Sequence, residues 1–174
     1  MNKGLSPKLK LAFPDISPLK IESEFNKISD PNWVAGFASG EGSFQIDIKK
    51  SKTVKHRYQV LLRFSIGQHS RDEQLLINLI DFLECGKVQK KYIKKYNTEY
   101  FEFRVEKFED ITKKIIPFFV KYPITGQKLL DFKDFCKVAK LMNEKAHLTI
   151  EGINKIRIIK KGINKGRIYL QPKD

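Results

Sequence analysis

Polar and apolar residues alternate along two stretches in the first half of the chain. In 43–49 the odd positions are polar and the even positions apolar, and 58–66 follows nearly the same period. A period of two is that of a β-strand with one buried and one solvent-facing side. Strand-like stretches recur near 87–93 and 99–105. The pattern therefore predicts four strands in two hairpins.

Helix signals precede and separate these hairpins. Asp30 followed by Pro31 combines a favoured N-cap residue with proline at the first helical position. It predicts a helix that runs into the glycine-containing segment after it. Ser70 and Glu73 have the spacing of a capping box. They predict a second helix, which Gly86 closes.

Three further helical segments are predicted in the second half of the chain. They are 108–121, which Pro117 must break or kink, then 126–143, and finally a helix capped by Thr149 that reaches about Lys161. The element order predicts an α+β fold, with a four-stranded antiparallel sheet and helices on one of its faces.

The chain of 174 residues has the length of one ordinary domain. Prolines interrupt residues 1–29 and no hydrophobic period persists there, so this segment is interpreted as an N-terminal arm. Residues 30–168 form the single predicted domain and 169–174 a tail. No apolar run approaches the roughly 18–20 residues of a membrane span, so no membrane partner is expected.

The composition points to a polyanionic partner. The chain has 34 Lys and Arg against 20 Asp and Glu, a net charge of +14, and 41% hydrophobic residues. That hydrophobic content excludes a disordered basic tail. Its two cysteines are too few for a disulfide framework and lack zinc-site spacing. A folded, strongly basic domain most simply binds nucleic acid.

Most of the positive charge lies on the two hairpins. Residues 43–64 hold six basic residues and one acid, and 86–104 hold six and two. A polar sheet face can simply be solvated, but Arg and Gln also suit base edges in the DNA major groove and Lys suits phosphates. The candidate DNA-binding residues are Ser43, Gln45, Asp47, Lys49, Lys52, Arg57, Gln59, Leu61, Arg63, Ser65, Gln89, Lys91, Tyr100, Glu102 and Arg104.

A further basic segment lies near the end of the chain. Residues 155–167 contain six Lys and Arg and no acid. The segment either contacts DNA phosphates from the flank of the sheet or forms a solvated helix face. The sequence leaves both interpretations open.

The segment 33–42, WVAGFASGEG, carries the most specific signal. Gly36 and Gly40 lie four apart, which allows close approach of another helix. Glu41 then closes the helix, although an acid at a helix C-terminus is unfavourable for the macrodipole. A divalent cation with phosphate would compensate it. The alternative is a small-residue helix with a polar end.

This segment resembles the LAGLIDADG motif of homing endonucleases. The stretches GSFQIDI, YQVLLRFSIGQHSRD and IIPFFVKYPITGQKLLDF and the INKGR tail resemble the single-chain fungal-organelle branch of that family, over most of residues 30–168. The arm, with GLSPKLKLAFP, resembles the linker that joins the two copies in that branch. The resemblance implies the LAGLIDADG fold, with a DNA-binding sheet of αββαββα type.

The resemblance also implies roles for the motif residues. The motif helices of two copies pack together, and the acid that closes each motif binds a divalent metal. Glu41 is then a catalytic metal ligand, helped by the backbone carbonyl of Gly42, and the metal is Mg²⁺ or a similar cation such as Mn²⁺ or Ca²⁺. Ser39 departs from an acidic family position that is usually structural. The interface residues implied are Val34, Gly36, Phe37 and Gly40.

Two more catalytic residues follow from the family pattern. Gln68, at the end of the second strand, matches a polar residue near the attacking water. Lys121 is the first choice for the basic residue that completes the pocket, and Lys128 is the alternative. Without the family, Gln68 reads as a turn residue and Lys121 as a cation near a helix C-terminus.

The sequence thus predicts a site-specific endonuclease that cuts double-stranded DNA of roughly two turns with a divalent metal. One motif supplies one carboxylate, so two units must meet, either as a homodimer or through a fused N-terminal copy. The rivals are an intron maturase and a DNA- or RNA-binding half-domain without cleavage activity. The excess of Lys over Arg and of Ile over Ala is typical of AT-rich genes, which favours a mitochondrial or other organelle origin.

Overall fold

The fold is a four-stranded sheet with helices packed on one of its faces. The computed structural model describes residues 7–14, 27–52, 58–93 and 98–164. None of the helices within these ranges is long and apolar enough to cross a membrane. The elements are α1 (Pro7–Ala12), α2 (Pro31–Glu41), β1 (Gly42–Lys50), β2 (Tyr58–His69), α3 (Glu73–Leu83), β3 (Lys87–Ile93), β4 (Thr98–Val105), α4 (Phe108–Asp110), α5 (Ile116–Lys121), α6 (Lys128–Asn143) and α7 (Ile150–Lys161).

The four strands pair antiparallel in the order β1-β2-β4-β3. Gly42 pairs with Ile66 and Phe64 pairs with Val105, so the apolar positions of neighbouring strands share one face. The predicted α+β architecture, with its antiparallel sheet and its helices on one face, is confirmed. Strand β1 lies at an edge of the sheet, directly after the motif helix.

An aromatic cluster forms the core between the sheet and the helices. The ring centroid of Phe44 lies 5.1 Å from that of Phe64, 5.2 Å from that of Phe132 and 5.3 Å from that of Phe135. Phe44 is fully buried, and it lies only two residues beyond the start of β1. Packing of this one ring therefore fixes the strand that leads out of α2.

Helix α2 begins as predicted and ends in an abrupt turn into β1. The Asn32 N–H donates to Asp30 Oδ1 over 2.8 Å, and Pro31 takes the first helical position. At the other end no loop separates Glu41 from Gly42. A Cβ on Gly42 would lie 2.5 Å from the backbone oxygen of Ala38, so only glycine fits this turn.

The ends of α3 differ from the sequence prediction. His69, not Ser70, provides the side chain at the start, because its Nδ1 accepts from the Arg71 N–H over 3.3 Å in a 3₁₀ turn before the helix. The predicted capping box is therefore wrong. At the C-terminus Glu84 takes the left-handed conformation, with φ of 52°. Gly86 instead provides a close approach to the ring of Phe103.

Pro117 is accommodated without ending its helix. A π-helical segment, Ile111–Ile115, joins α4 to α5, and the Ile116 N–H donates to the Ile111 carbonyl. Proline lacks the N–H that an α-helix needs at this point. The structure thus has a wider helical turn just before Pro117, where the sequence predicted a break or kink.

Helix α7 is held at both ends. The Gly152 N–H donates to Thr149 Oγ1 over 3.0 Å, which confirms the predicted cap. Beyond the helix, the Asn164 N–H donates to Asp131 Oδ1 and its Nδ2 donates to the Phe44 carbonyl, both over 3.0 Å. The second of these bonds ties the end of α7 to β1.

The N-terminal arm contains one short helix, α1, which the sequence did not predict. Residues 1–6 and 15–26 of the predicted arm lie outside the described residues, as do 165–168 of the predicted domain and the tail 169–174.

Gly152 provides a test of the packing of α7. A Cβ at this position would overlap the backbone carbonyl of Ala146, which cannot move as a flexible side chain can. We expect Gly152→Ala to lower the free energy of unfolding by about 1–3 kcal/mol in urea titrations. Gly36→Ala is the matched control, since a Cβ there meets nothing within 4 Å. It should stabilise the chain by up to about 1 kcal/mol through helix propensity. Equal effects of the two substitutions would contradict this packing.

Candidate functional site

The carboxyl end of α2 places an acid beside the edge strand. Glu41 is the last residue of α2 and its side chain is exposed, while Gly42 is buried and starts β1. The last turn of α2 contains no basic residue of its own. Compensation comes instead from α6, because Lys128 Nζ donates to the Gly40 carbonyl over 2.7 Å. The exposed carboxylate and this ammonium group therefore share one end of one helix.

Ser39 fixes the loop that positions Lys128. Its hydroxyl donates to the Ala35 carbonyl over 2.7 Å and accepts from the Thr125 N–H over 3.0 Å. Thr125 lies three residues before Lys128, in the loop between α5 and α6. The departure of Ser39 from the acidic motif position thus has a structural role: it holds the loop before α6 against α2.

The ammonium of Lys128 has a perturbed environment. Burial lowers its pKa below the ordinary value of 10.5, and the nearby carboxylates of Glu41 and Asp131 oppose that shift. A partly desolvated cation whose pKa is shifted, close to an exposed carboxylate, is typical of a functional site.

Lys121, the first choice from the sequence, lies at the end of α5. Its side chain is exposed and its Nζ lies 5.2 Å from the centroid of the Tyr122 ring. Of the two candidate lysines, the structure brings Lys128 to the end of the motif helix. Both lie in one short stretch, and the loop between α5 and α6 decides which of them faces α2.

Gln68 lies near the same end of α2. The pair of Gly42 with Ile66 marks where α2 gives way to β1, and Gln68 lies two residues further along β2. It is half-buried, on the helix-covered side of the sheet, and pairs with Phe101 of β4. The register therefore places Gln68 beside the turn that presents Glu41.

The donor set at this end of α2 fits a hard divalent cation that is shared with a substrate. Glu41 offers a carboxylate and Gly42 a carbonyl oxygen, the ligand types that Mg²⁺ and Ca²⁺ prefer. Among the residues that the structure describes, no group of three or more His, Cys, Asp or Glu could enclose a metal. Mg²⁺ commonly completes such an open site with water and substrate phosphates.

Most of the candidate DNA-binding residues lie on the uncovered face of the sheet. Lys49 and Gln59, at its outer positions, are exposed, and Lys52 is exposed in the loop after β1. Leu61 is half-buried, and Arg57 lies outside the described residues. The remaining candidates alternate with core residues along the four strands: Ser43, Gln45, Asp47, Arg63, Gln89, Lys91, Tyr100, Glu102 and Arg104.

Ser65 corrects one of these predictions. It occupies the middle of a cross-strand row between Ser43 and Arg104, and only 3% of its surface is exposed. A short side chain in the centre of a sheet is covered by its longer neighbours. Ser65 therefore cannot reach a base edge in this conformation.

The two arginines of this face are already paired. Arg63 Nη1 donates to Gln45 Oε1 over 2.9 Å, and its Nη2 lies 3.4 Å from Asp47 Oδ2. Arg104 Nε donates to Glu102 Oε2 over 2.9 Å. The centre of the face is therefore closely balanced in charge, and its outer positions carry the basic excess.

Glu106 connects the two arginines, and the sequence analysis missed it. Its Oε1 accepts from Arg63 Nε over 2.8 Å and lies 3.5 Å from Arg104 Nη1. Glu106 follows the last residue of β4, outside the strand pattern on which the candidates were chosen. Only its position opposite Arg63 in the folded sheet identifies it.

One face of α2 is open in the described structure. Trp33 is 43% exposed and stacks on Phe37, with their ring centroids 5.0 Å apart. A Cβ on Gly36 or Gly40 would meet nothing within 4 Å. Val34, in contrast, is fully buried in the domain's own core, so its prediction as an interface residue is wrong. It lies on the opposite side of the helix from the two glycines.

The family follows from a comparison of the whole chain. The model of the LAGLIDADG endonuclease family matches residues 34–139, the region that contains most of α2, the whole sheet and most of α6. The chain belongs to the LAGLIDADG endonuclease family. The probable intron-encoded endonuclease 2 of Neurospora crassa is 42% identical over 175 residues, which cover 94% of this LAGLIDADG chain and 36% of that protein.

Solved structures of LAGLIDADG proteins share the fold. The I-SmaMI homing endonuclease bound to cleaved DNA has a TM-score of 0.83 and 46% identity, covering 97% of this chain and 55% of that one. I-SmaMI bound to uncleaved DNA in the presence of calcium ions has a TM-score of 0.81 and 45% identity, covering 94% of this chain and 55% of that one. The chain thus spans about a third of the Neurospora crassa relative and just over half of the I-SmaMI chain.

The paired face of this LAGLIDADG domain predicts a pH dependence of stability. Burial by itself raises the pKa of Glu106, but the hydrogen bond from Arg63 and the charges of Arg104, Arg63 and Lys87 outweigh it and hold the pKa below the ordinary 4.5. A folded-state pKa below the unfolded one stabilises the fold above the unfolded pKa, and this stabilisation is lost as the pH falls through the folded value.

We therefore expect the free energy of unfolding to decline below about pH 4.5 more steeply in the wild type than in Glu106→Gln, by up to about 1 kcal/mol. Urea unfolding at pH 7, 4.5 and 3 measures the difference. Glu144→Gln is the control, because Glu144 is exposed and its contact with Lys140 spans 4.0 Å. Parallel pH profiles for all three proteins would contradict the assignment.

Proposed function

We propose that this chain is one unit of a homing endonuclease that cuts double-stranded DNA at a specific site with a divalent metal. The observation that carries the proposal is the carboxyl end of α2, where the exposed Glu41 and the Lys128 ammonium lie together at the edge of a polar sheet face. The I-SmaMI structure with cleaved DNA supports it, because that protein shares the fold at 46% identity.

The residues at the end of α2 match the demands of phosphodiester hydrolysis. The reaction needs an activated water and stabilisation of the negative charge that develops on the phosphate and on the leaving oxygen. Mg²⁺, or a similar divalent cation, supplies both functions when it is bound. Glu41 and the Gly42 carbonyl hold that ion, and Lys128 adds a fixed positive charge beside the phosphate. Gln68 orients the water.

The uncovered sheet face binds the duplex. Lysines at the outer positions of this face and in the loop after β1, such as Lys49 and Lys52, contact phosphates and supply most of the salt-dependent affinity. Arg63, Arg104 and Gln45 lie in the centre and present hydrogen-bonding groups towards the base edges. Because acids and amides already hold these arginines, their directions are set before DNA arrives.

Cleavage of both strands needs two such units. One chain carries one motif and one candidate carboxylate, and a second unit docks on the open face of α2 through Gly36 and Gly40. This second unit is another copy of this chain or a fused copy that precedes it, with residues 1–29 as the linker. Two adjoining sheets would cover roughly two turns of DNA.

On this proposal, an intron of an organelle genome encodes the protein. The protein then acts in the mitochondrion or another organelle. The Neurospora crassa relative is named as intron-encoded. The composition of this chain, with 28 Lys against 6 Arg, agrees with an AT-rich genome.

Substitutions of two lysines and one acid test the catalytic assignment. With Mg²⁺ and a cleavable site selected from a randomised plasmid library, Glu41→Gln should abolish nicking while leaving DNA affinity within about twofold. Lys128→Met should slow cleavage by about 100-fold or more, the scale of one lost electrostatic contact to the transition state. Lys121→Met is the matched control and should cut at close to the wild-type rate.

Two results would decide against this assignment. If Glu41→Gln cuts as fast as the wild type, the metal-binding role fails. If Lys121→Met is the slow variant and Lys128→Met is not, Lys121 completes the pocket, as the sequence first suggested.

Gly36→Leu tests the face on which the second unit docks. The new side chain points into open space in one unit, so the fold should keep its thermal stability within a few degrees. Between two units it would separate the helices, so sedimentation velocity on DNA should show one unit bound where the wild type shows two. Lys137→Leu places the same side chain on the exposed outer face of α6 as a control. Unchanged assembly of Gly36→Leu would show that the units meet elsewhere.

A further inference from the structure

A basic cleft lies between the edge strand β1 and helix α7, beside the proposed catalytic residues. It has a volume of about 1160 Å³ and begins at Gly42 and Lys128. Its floor is partly apolar, with Ile46 and Ile163 among the lining residues. The charged residues that line it are Lys128, Arg157, Lys160, Lys161 and Asp47.

The cations of α7 are directed into this cleft by specific contacts. The Arg157 guanidinium lies 4.4 Å from the centroid of the Tyr58 ring, and its Nη1 donates to Asn154 Oδ1 over 2.8 Å. Lys160 Nζ lies 3.7 Å from Asp47 Oδ1. These contacts orient Arg157 towards Tyr58 at the start of β2 and Lys160 towards Asp47 of β1, rather than leaving the two side chains to sample solvent.

The position of α7 is itself fixed. Thr149 caps its first turn, and Gly152 allows it to pack on the turn at Ala146. At its far end Asn164 donates to Asp131 and to the Phe44 carbonyl of β1. These contacts therefore fix the distance between the cations of α7 and the edge strand β1.

Internal pairing does not neutralise the cleft. Asp47 is the one acid among its described lining residues, and it is shared with Arg63 of the sheet face at 3.4 Å. Four cations of the cleft thus face one carboxylate, and that carboxylate also pairs with Arg63. A concave, preorganised surface with this excess of positive charge attracts a polyanion.

We propose that the cleft binds the phosphodiester backbone of the duplex on the flank of the bond that is cut, with Arg157, Lys160 and Lys161 on successive phosphates. The inference rests on the proposed function. It adds a phosphate-binding surface that adjoins the polar sheet face, since Ser43, Gln45 and Asp47 line both. The cleft begins at Lys128, at the same edge of the sheet as Glu41. We therefore assign it to the DNA strand that passes Glu41.

The test compares two triple variants of equal charge. Arg157→Gln/Lys160→Gln/Lys161→Gln removes three positive charges from the cleft. Lys133→Gln/Lys137→Gln/Lys140→Gln removes three from the exposed outer face of α6. Fluorescence anisotropy measures the affinity of each protein for a random-sequence duplex between 50 and 200 mM salt.

A contact to one phosphate contributes a slope of about 0.9 in a plot of log affinity against log salt. We expect the cleft variant to lose about 2–3 units of that slope, so that the wild type loses up to about 40-fold more affinity across the salt range. The α6 variant should keep the wild-type slope. The single variant Lys161→Gln, at an exposed position, should lose about 0.9 and checks that the triple variant is not simply misfolded.

Four outcomes overturn the inference. A wild-type slope in the cleft variant shows that the cleft does not meet phosphate. An equal loss in the α6 variant shows an effect of net charge alone. Loss of unit-to-unit assembly with an unchanged slope identifies the occupant as the second unit. If the wild type itself binds duplex without salt dependence, the proposed function fails together with the cleft inference. The behaviour of the wild type thus distinguishes failure of the proposed function from failure of the cleft inference alone.

Discussion

The direct junction of α2 and β1 is the constraint on which the rest of the structure depends. A helix ends at Glu41 and a strand starts at Gly42 with no intervening loop, and any side chain at position 42 would strike the Ala38 carbonyl. The junction fixes the acid at the edge of the sheet. Two residues later, Phe44 anchors the strand in the aromatic core. A site built on such elements is held more firmly than one built on loops.

The distribution of charge is as informative as its total. The net charge of +14 indicates a polyanion, but in the fold the arginines of the sheet centre are matched by acids while the basic excess lies on the outer positions and in the cleft beside α7. Attraction to phosphate and hydrogen bonding to bases are thereby assigned to different side chains. The first depends on net charge and the second on fixed geometry.

Much of the fold could be predicted because its signals are local. Strand alternation, the Asp30 cap and the Thr149 cap depend on neighbours within a few residues, and each was confirmed. The wrong capping box at Ser70 was a local error, but the errors among the candidate site residues arose where a distant element decides. Val34 belongs to the motif, but the domain's own core buries it, and Ser65 has a polar-face position that its cross-strand neighbours cover. The local sequence does not show which residues bury Val34 or which residues cover Ser65.

The sequence alone determined the fold class, the family resemblance and the acid that ends the motif, because residue type and short spacing encode them. Tertiary structure alone decided which lysine accompanies that acid. Ser39 holds the loop at Thr125, and this contact across 86 positions brings Lys128 to α2. Tertiary structure also revealed Glu106 between two arginines and the cleft between β1 and α7. Such features depend on side chains that are distant in the chain and meet only when the sheet and its helices pack together.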